Sequence, residues 1–330
     1  MIVSRSPLRI SLAGGGSDLP SFYRQDFGEV LSFAINKYVY LAGHDYFAGG
    51  IRLSYSRTES VRSISEIQHP IFRNALSHLN FDSDIELSSF ADVPGSGTGL
   101  GSSSAFTVSL LNLLSAYSGT ERTQEELASL ACKIEIDLCG DPIGKQDQYA
   151  SAIGGLNRIR FNKDDSVNVT KLNEQEKKSE FLNESLLLYY SGIGRSASTI
   201  LSEQNKKITE NSSTFEAVKK IREGVNNMES CINQEDAHGL GNLLNENWQY
   251  KKKLTNQISS PEIDDLFKLA NKCGALGGKL VGAGGGGFLL LCIEPGGQFE
   301  FQKRFNMLRN LPFRMEREGA TIVYSDEVVK

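Results

Sequence analysis

A chain of 330 residues, 39% hydrophobic and 23% charged, is ordinary for a globular protein and long enough for two packed domains. Its net charge of -5 excludes the broad basic field on which nucleic-acid binding rests, so an anionic ligand has to be met by a local cluster of donors. The five scattered cysteines form no C-x-x-C pair and read as reduced thiols of a cytoplasmic protein, Met1–Ile10 does not read as a secretory leader, and no apolar run approaches the roughly 18 residues of a membrane helix.

The first informative segment runs from Pro7 to Asp18 (PLRISLAGGGSD). A short strand over Leu8–Leu12 enters three glycines and then a carboxylate. Asp18 is placed to accept bonds from substrate hydroxyls and Arg9 to set a cation near a reacting oxygen, although Gly-Ser-Asp is also ordinary turn chemistry. Tyr38–Leu41 and Ile85–Leu87 read as strands. The segment Pro94–Ala105 (PGSGTGLGSSSA) follows, with glycines at Gly95, Gly97, Gly99 and Gly101 and then Ser102, Ser103 and Ser104 opening an apolar helix, Ser103–Tyr117. Alternating glycines let the backbone approach a bulky anion, and the helix start aims free N–H groups and a positive dipole end at the same spot. The serine hydroxyls add donors to phosphate or a ligand for Mg²⁺. No Walker A loop is present, because Gly144-Lys145 is followed by Gln146 and Gly278-Lys279 by Leu280.

Thr123 and Glu126 make a capping box ahead of the stripe Leu127, Leu130, Ala131, Ile134 and Leu138. Glu135 borders that stripe, so it serves either a bound cation or a surface ion pair. The turn from Gly140 to Gln148 sets Asp147 beside Lys145 and amide donors, as a reacting carboxylate or as a turn residue. The polar stretch Asn162–Glu180 divides the chain into residues 1–179 and 180–330. Beyond it, Leu186–Tyr190 reads as a strand and Ser196–Ile208, Thr214–Ile232 and Asp236–Lys253 as helices. Lys251–Lys253 reads as a solvated helix face and Trp248 as packing. Lys279–Phe288 contains G-x-G-x-x-G at Gly282, Gly284 and Gly287, but a strand, Phe288–Ile293, follows where a dinucleotide site needs a helix. A loop that lets backbone approach a neighbouring loop or a ligand fits better. The histidines lack metal-ligand spacing and no G-x-S-x-G elbow occurs. Strands and helices mix in both halves, which predicts an α+β fold.

In their order and spacing the three glycine-rich segments resemble the three motifs of the GHMP kinases, the superfamily of galactokinase, homoserine kinase, mevalonate kinase and phosphomevalonate kinase. The central segment is similar to P-x-G-x-G-L-G-S-S-x, and the third departs from the family pattern in having Val281 where threonine is usual. Gly14-Gly15-Gly16-Ser17-Asp18, Gly144–Tyr149 and Ser191–Ser198 most resemble the branch that phosphorylates the anomeric hydroxyl of D-glycero-D-manno-heptose 7-phosphate, giving the 1,7-bisphosphate on the route to GDP-heptose. Galactokinases carry Glu-His where this chain has Gly15-Gly16.

The resemblance implies a ribosomal-protein-S5-like N-terminal domain and a ferredoxin-like C-terminal domain with the site between them, and ATP with Mg²⁺ as cofactors. It implies that Gly95 to Ser104 wrap the ATP phosphates and that Ser103 and Glu135 hold Mg²⁺. It implies that Asp147 accepts the proton of the attacking hydroxyl and Arg9 stabilises charge on the attacking oxygen. Asp18, Gly15, Gly16, Ser17, Lys145, Gly284 and Gly285 are expected to contact the sugar, and Arg195 its phosphate. Three rivals stay open: a fucose-, galactose- or homoserine-type kinase, a silent sugar- and ATP-sensing relative, and a dinucleotide oxidoreductase. A homodimer is left open, and neither a membrane nor a nucleic acid is expected as partner.

Overall fold

The computed structural model describes residues 1–81, 84–95, 97–172, 176–194 and 197–326. Its first sheet grows from two long strands, β1 (Ile2–Ala13) and β2 (Gly28–Asp45), which pair antiparallel from Ile2 opposite Gly43 to Ala13 opposite Leu31. The pleat of β1 sends Leu8, Ile10 and Leu12, all fully buried, into the core. It sends Arg9 and Ser11 to the opposite face, where both line a large cavity.

After a short helix α1 (Pro20–Tyr23) and β2 come β3 (Ile51–Ser54), β4 (Thr58–Val61), α2 (Pro70–His78) and β5 (Ile85–Ala91). Helix α3 (Ser102–Tyr117) lies over β1 and β2 and is buried over most of its length, its apolar side chains interleaved with small serines and a threonine that pack into the same core. Helix α4 (Gln124–Cys132) starts on the predicted capping box, with the Thr123 hydroxyl accepting from the Glu126 amide. A π-helical turn, Lys133–Leu138, extends α4 and carries Glu135. Then follow α5 (Gln146–Ile153), β6 (Leu156–Phe161) and β7 (Val167–Lys171). The two halves of β2 pair with different strands, Gly28–Phe33 with β6 and Val39–Asp45 with β5, so the sheet forks along it.

The second sheet is built from β8 (Leu186–Tyr190), β9 (Gly277–Leu280), β10 (Phe288–Cys292) and β11 (Arg309–Asn310), in the order β11-β8-β10-β9. Helix α6 (Glu176–Ser185) leads into β8, and α7 (Ala197–Glu210), α8 (Ser212–Asn233), α9 (Ala237–Lys252), α10 (Pro261–Cys273) and α11 (Gln298–Arg304) complete this half. The architecture is α+β in both halves, as expected. A second apolar core forms here around Tyr189, Trp248, Leu289, Leu291 and Phe305. Trp248 packs on Phe267 with ring centroids 5.6 Å apart, the packing role expected of it.

The polar stretch expected to be a boundary contains β7, a strand of the first sheet, because its alternating valines, Val167 and Val169, pair with β6. The final strand, β12 (Thr321–Ser325), returns to the first sheet and pairs antiparallel with β1. All five cysteines are free thiols. Among the described residues no helix is long and apolar enough to cross a membrane.

Candidate active site

The glycine-rich segment ahead of α3 is laid against β1, with the Arg9 amide donating to the Leu100 carbonyl at 3.0 Å. Gly101 caps α3 at φ +77° and Gly99 sits at φ +76°, left-handed conformations that side chains rarely adopt. Space also demands glycine at 99: an added Cβ would lie 2.4 Å from the Val281 carbonyl oxygen. The converse holds at Gly282, where a Cβ would lie 2.3 Å from Gly99 Cα. The central and third glycine segments therefore touch backbone to backbone, and the Phe288 amide donates to the Thr98 carbonyl at 3.3 Å across the seam. The strand after the third segment is β10, so the structure leaves no helix for a dinucleotide pyrophosphate there.

Beside the seam lies an ion pair in fork geometry. Arg9 Nε donates to Asp147 Oδ1 and Nη2 to Oδ2, both at 2.8 Å, while Nη1 donates to the Gly99 carbonyl at 2.6 Å. Arg9 is 3% exposed and Asp147 24%, so the carboxylate is the more accessible member of the pair. Asp147 stands in the first turn of α5. Asp18 lies close by, with Oδ1 accepting from the Gly16 amide at 3.0 Å and Oδ2 from the Gln146 amide at 3.4 Å. Burial raises its pKa, the Asp147 charge adds to that, and the backbone amides oppose both.

Ser103 donates to Glu135 Oε1 at 2.9 Å, and Gln148 Nε2 donates to Oε2 at 2.8 Å. Glu135 is fully buried, and burial pushes its pKa up to about 7 against the bonds from Ser104, Gln148 and Ser103. Ser103 and Glu135 set a hydroxyl and a carboxylate oxygen side by side, a donor pair that would suit a hard cation such as Mg²⁺. The Gln148 Oε1 next to them is buried without a partner. One carboxylate and one hydroxyl suit a cation that takes its remaining ligands from phosphates and water. Among the described residues no group of three or more His, Cys, Asp or Glu forms a metal cage.

A cavity of about 730 Å³ gathers most of the predicted residues, with Arg9, Gly15, Gly16, Asp18, Asp147 and Gly284 in its wall beside Gly95, Gly97, Gly99, Gly101, Ser102, Ser103 and Ser104. Three expectations are corrected. Ser17 does not face the cavity; it is buried, and its hydroxyl donates to the Gly14 and Glu29 carbonyls, which locks the turn. Lys145 points away, donating to the Asp165 carbonyl at 2.8 Å over the Tyr23 ring. Gly285 is buried outside the cavity wall and donates its amide to the Ile258 carbonyl at 2.8 Å. Glu135, expected as a metal ligand with Ser103, stands behind Ser103 and accepts its hydroxyl. Arg195 lies outside the described residues.

Three wall residues escape the motif reading. Lys251, expected on a solvated face, is buried and donates from Nζ to the Gly282 carbonyl. Burial lowers its pKa to about 8, Arg9 adds to the shift, and Asp18 and Asp147 oppose it. A signal was present, since Leu240, Leu244, Trp248 and Lys251 recur at helical spacing on one face of α9. Lys279 is buried in β9, with Nζ donating to the Leu12 carbonyl at 2.9 Å; burial and the neighbouring Lys251 and Arg9 hold its pKa well below the usual lysine range. Gln204 of α7, 2% exposed, reaches the wall beside Gly16.

Residues 66–155 match the model of the GHMP kinases N terminal domain, and residues 228–305 match that of the GHMP kinases C terminal. The chain is 29% identical over 322 residues to the D-glycero-alpha-D-manno-heptose 7-phosphate kinase of Campylobacter jejuni, covering 94% of this chain and 93% of that protein. It is 26% identical over 301 residues to the mevalonate kinase of Pyrococcus horikoshii, covering 86% and 84%. The crystal structure of a D-glycero-D-manno-heptose 1-phosphate kinase from Bacteroides thetaiotaomicron superposes with a TM-score of 0.81 at 26% identity, covering 98% of this chain and all of that one.

Proposed function

We propose that this chain, which belongs to the GHMP kinases, transfers the γ-phosphoryl group of ATP to the anomeric hydroxyl of D-glycero-D-manno-heptose 7-phosphate. The observation that carries this reading is the Arg9–Asp147 fork, held against a glycine cradle by the bond from Arg9 to the Gly99 carbonyl and opening into the same cavity as Asp18. The named activities of the Campylobacter and Bacteroides relatives support the sugar, and the extent of the alignment supports extending the chemistry to this chain.

Each residue has a role that its surroundings support. The amides at the start of α3 and the hydroxyls of Ser102, Ser103 and Ser104 bind the triphosphate. Asp18, already fixed by two loop amides, offers its remaining lone pairs to sugar hydroxyls. Asp147 takes the proton from the attacking hydroxyl, and Arg9 orients Asp147 and offsets the charge that grows on the attacking oxygen. An anomeric hydroxyl is more acidic than an ordinary alcohol, which lightens the demand on Asp147. Mg²⁺ held by Ser103 and Glu135 supplies charge neutralisation at the phosphates. Because phosphoryl transfer depends mainly on positioning and electrostatics, the wall residues above supply most of what is required.

The test is ADP release across a panel of heptose 7-phosphate, heptose, fucose, galactose, mevalonate and homoserine, with ³¹P NMR of the product. The expected outcome is selective turnover of the heptose 7-phosphate and a new anomeric phosphate resonance. A higher kcat/KM for an unphosphorylated sugar, or transfer to any other hydroxyl, would remove the substrate assignment.

A further inference from the structure

We propose that Lys251 is a second cation of the reacting centre, its ammonium donating to a non-bridging oxygen of the phosphoryl group during transfer. The inference rests on the kinase reading above but not on which sugar accepts the group. The stripe Leu240, Leu244 and Trp248, all buried, turns α9 so that Lys251 projects inward, where it is 8% exposed. Nζ donates to the Gly282 carbonyl, and Gly282 rests on Gly99, whose carbonyl holds Arg9. Two cations from distant parts of the chain thus hang from the carbonyls of two touching glycines, at the seam beside Asp147.

Among the described residues Lys251 has no ion pair, and the nearby carboxylates are engaged: Asp147 by the Arg9 fork, Asp18 by two loop amides. A buried ammonium whose direct hydrogen-bond partner is a neutral carbonyl, with Asp18 and Asp147 offsetting only part of the effect of burial, is costly, and an anion arriving in the cavity relieves that cost. Lys279 is differently employed. It reaches the Leu12 carbonyl and Asn247 and ties β9 to the end of β1. Lys251 is anchored next to the Arg9–Gly99 contact, where Arg9 also grips Asp147. Its partner is therefore the transferring group.

In the step itself, the bond from the γ-phosphorus to the β,γ-bridging oxygen breaks and one to the acceptor oxygen forms. The acceptor proton passes to Asp147, ADP leaves with the electron pair, and Lys251 keeps its proton and contributes charge alone.

The experiment compares wild type, Lys251→Met and Lys251→Arg by kinetics and by calorimetric titration of MgADP with and without aluminium fluoride, a mimic of the phosphoryl group in flight. Lys251→Met is expected to lower kcat by about 10²–10³-fold, the usual effect of losing one donor to transition-state charge. MgADP affinity should stay within about threefold of wild type while the affinity gained on adding fluoride falls by a factor like that in kcat. Lys251→Arg should recover at least part of both. A Met variant that keeps the fluoride gain would overturn the proposal, as would parallel losses of MgADP affinity and melting temperature, the mark of a structural lysine. If wild type turns over no sugar phosphate, the acceptor assignment falls by itself, and the fluoride titrations still decide Lys251.

Discussion

Replacing Glu135 with Gln separates what this carboxyl costs the fold from what it does for catalysis. Burial raises its pKa from 4.5 to about 7. The folded protein therefore holds the proton more tightly than the unfolded chain, so the associated stability is fully present below about 4.5 and is lost as pH rises through about 7. A shift of that size, at about 1.4 kcal/mol per pKa unit, corresponds to about 3 kcal/mol. Glu135→Gln is nearly isosteric and does not titrate, and the unpartnered Gln148 Oε1 can turn to accept from the new amide. Urea unfolding in EDTA at pH 5 and pH 8 measures the effect. Relative to wild type, the variant should gain about 3 kcal/mol between the two pH values with an unchanged m-value. With MgATP the order reverses in function: the variant loses a metal ligand and its kcat falls, although its apoprotein is the more stable at pH 8. Unfolding free energies that run parallel for the two proteins from pH 5 to pH 8 would refute the reasoning, because Glu135 would then not be protonated by burial.

The seam between the glycine segments predicts a contrast between neighbours. Gly99→Ala forces a left-handed φ, costing about 1–2 kcal/mol, and presses a methyl against the Val281 carbonyl, costing about 1–3 kcal/mol more. Gly95→Ala meets nothing within 4 Å and should leave the melting temperature unchanged. Asp147→Asn keeps a hydrogen-bonding partner for Arg9 but cannot take a proton; kcat should fall by about 10²–10³-fold with MgATP affinity retained in calorimetry. Lys251, faced by Arg9, Asp18 and Asp147, carries its charge below its pKa of about 8 and loses it above. The kcat/KM profile should therefore fall on the basic side from about pH 8, with the limb of kcat displaced upward by the bound phosphates and absent in Lys251→Arg.

Much of the site was legible because its parts are local. A glycine with positive φ, a run of serines at a helix start, an alternating strand such as Leu8–Leu12 and a capping box such as Thr123–Glu126 are each written within a few consecutive residues, where backbone sterics and nearest-neighbour hydrogen bonds set the outcome. The same locality weighed against a dinucleotide site, because a strand pattern follows Gly287 where a helix is needed. The order and spacing of the three glycine segments also carried the family resemblance.

What only the tertiary structure decided is which side chains face the cavity and which strands share a sheet. Ser17 and Lys145 stand beside the motif residues in sequence, yet each spends its donors on a neighbouring carbonyl, and Lys251, in a run that looked solvated, is turned inward by the apolar stripe of α9. The return of β12 to β1 and the contact of Gly99 with Gly282 join residues from opposite ends of the chain. Such pairings depend on how two cores and two sheets pack against each other, a long-range balance of burial and hydrogen bonding that a local stretch of sequence does not encode.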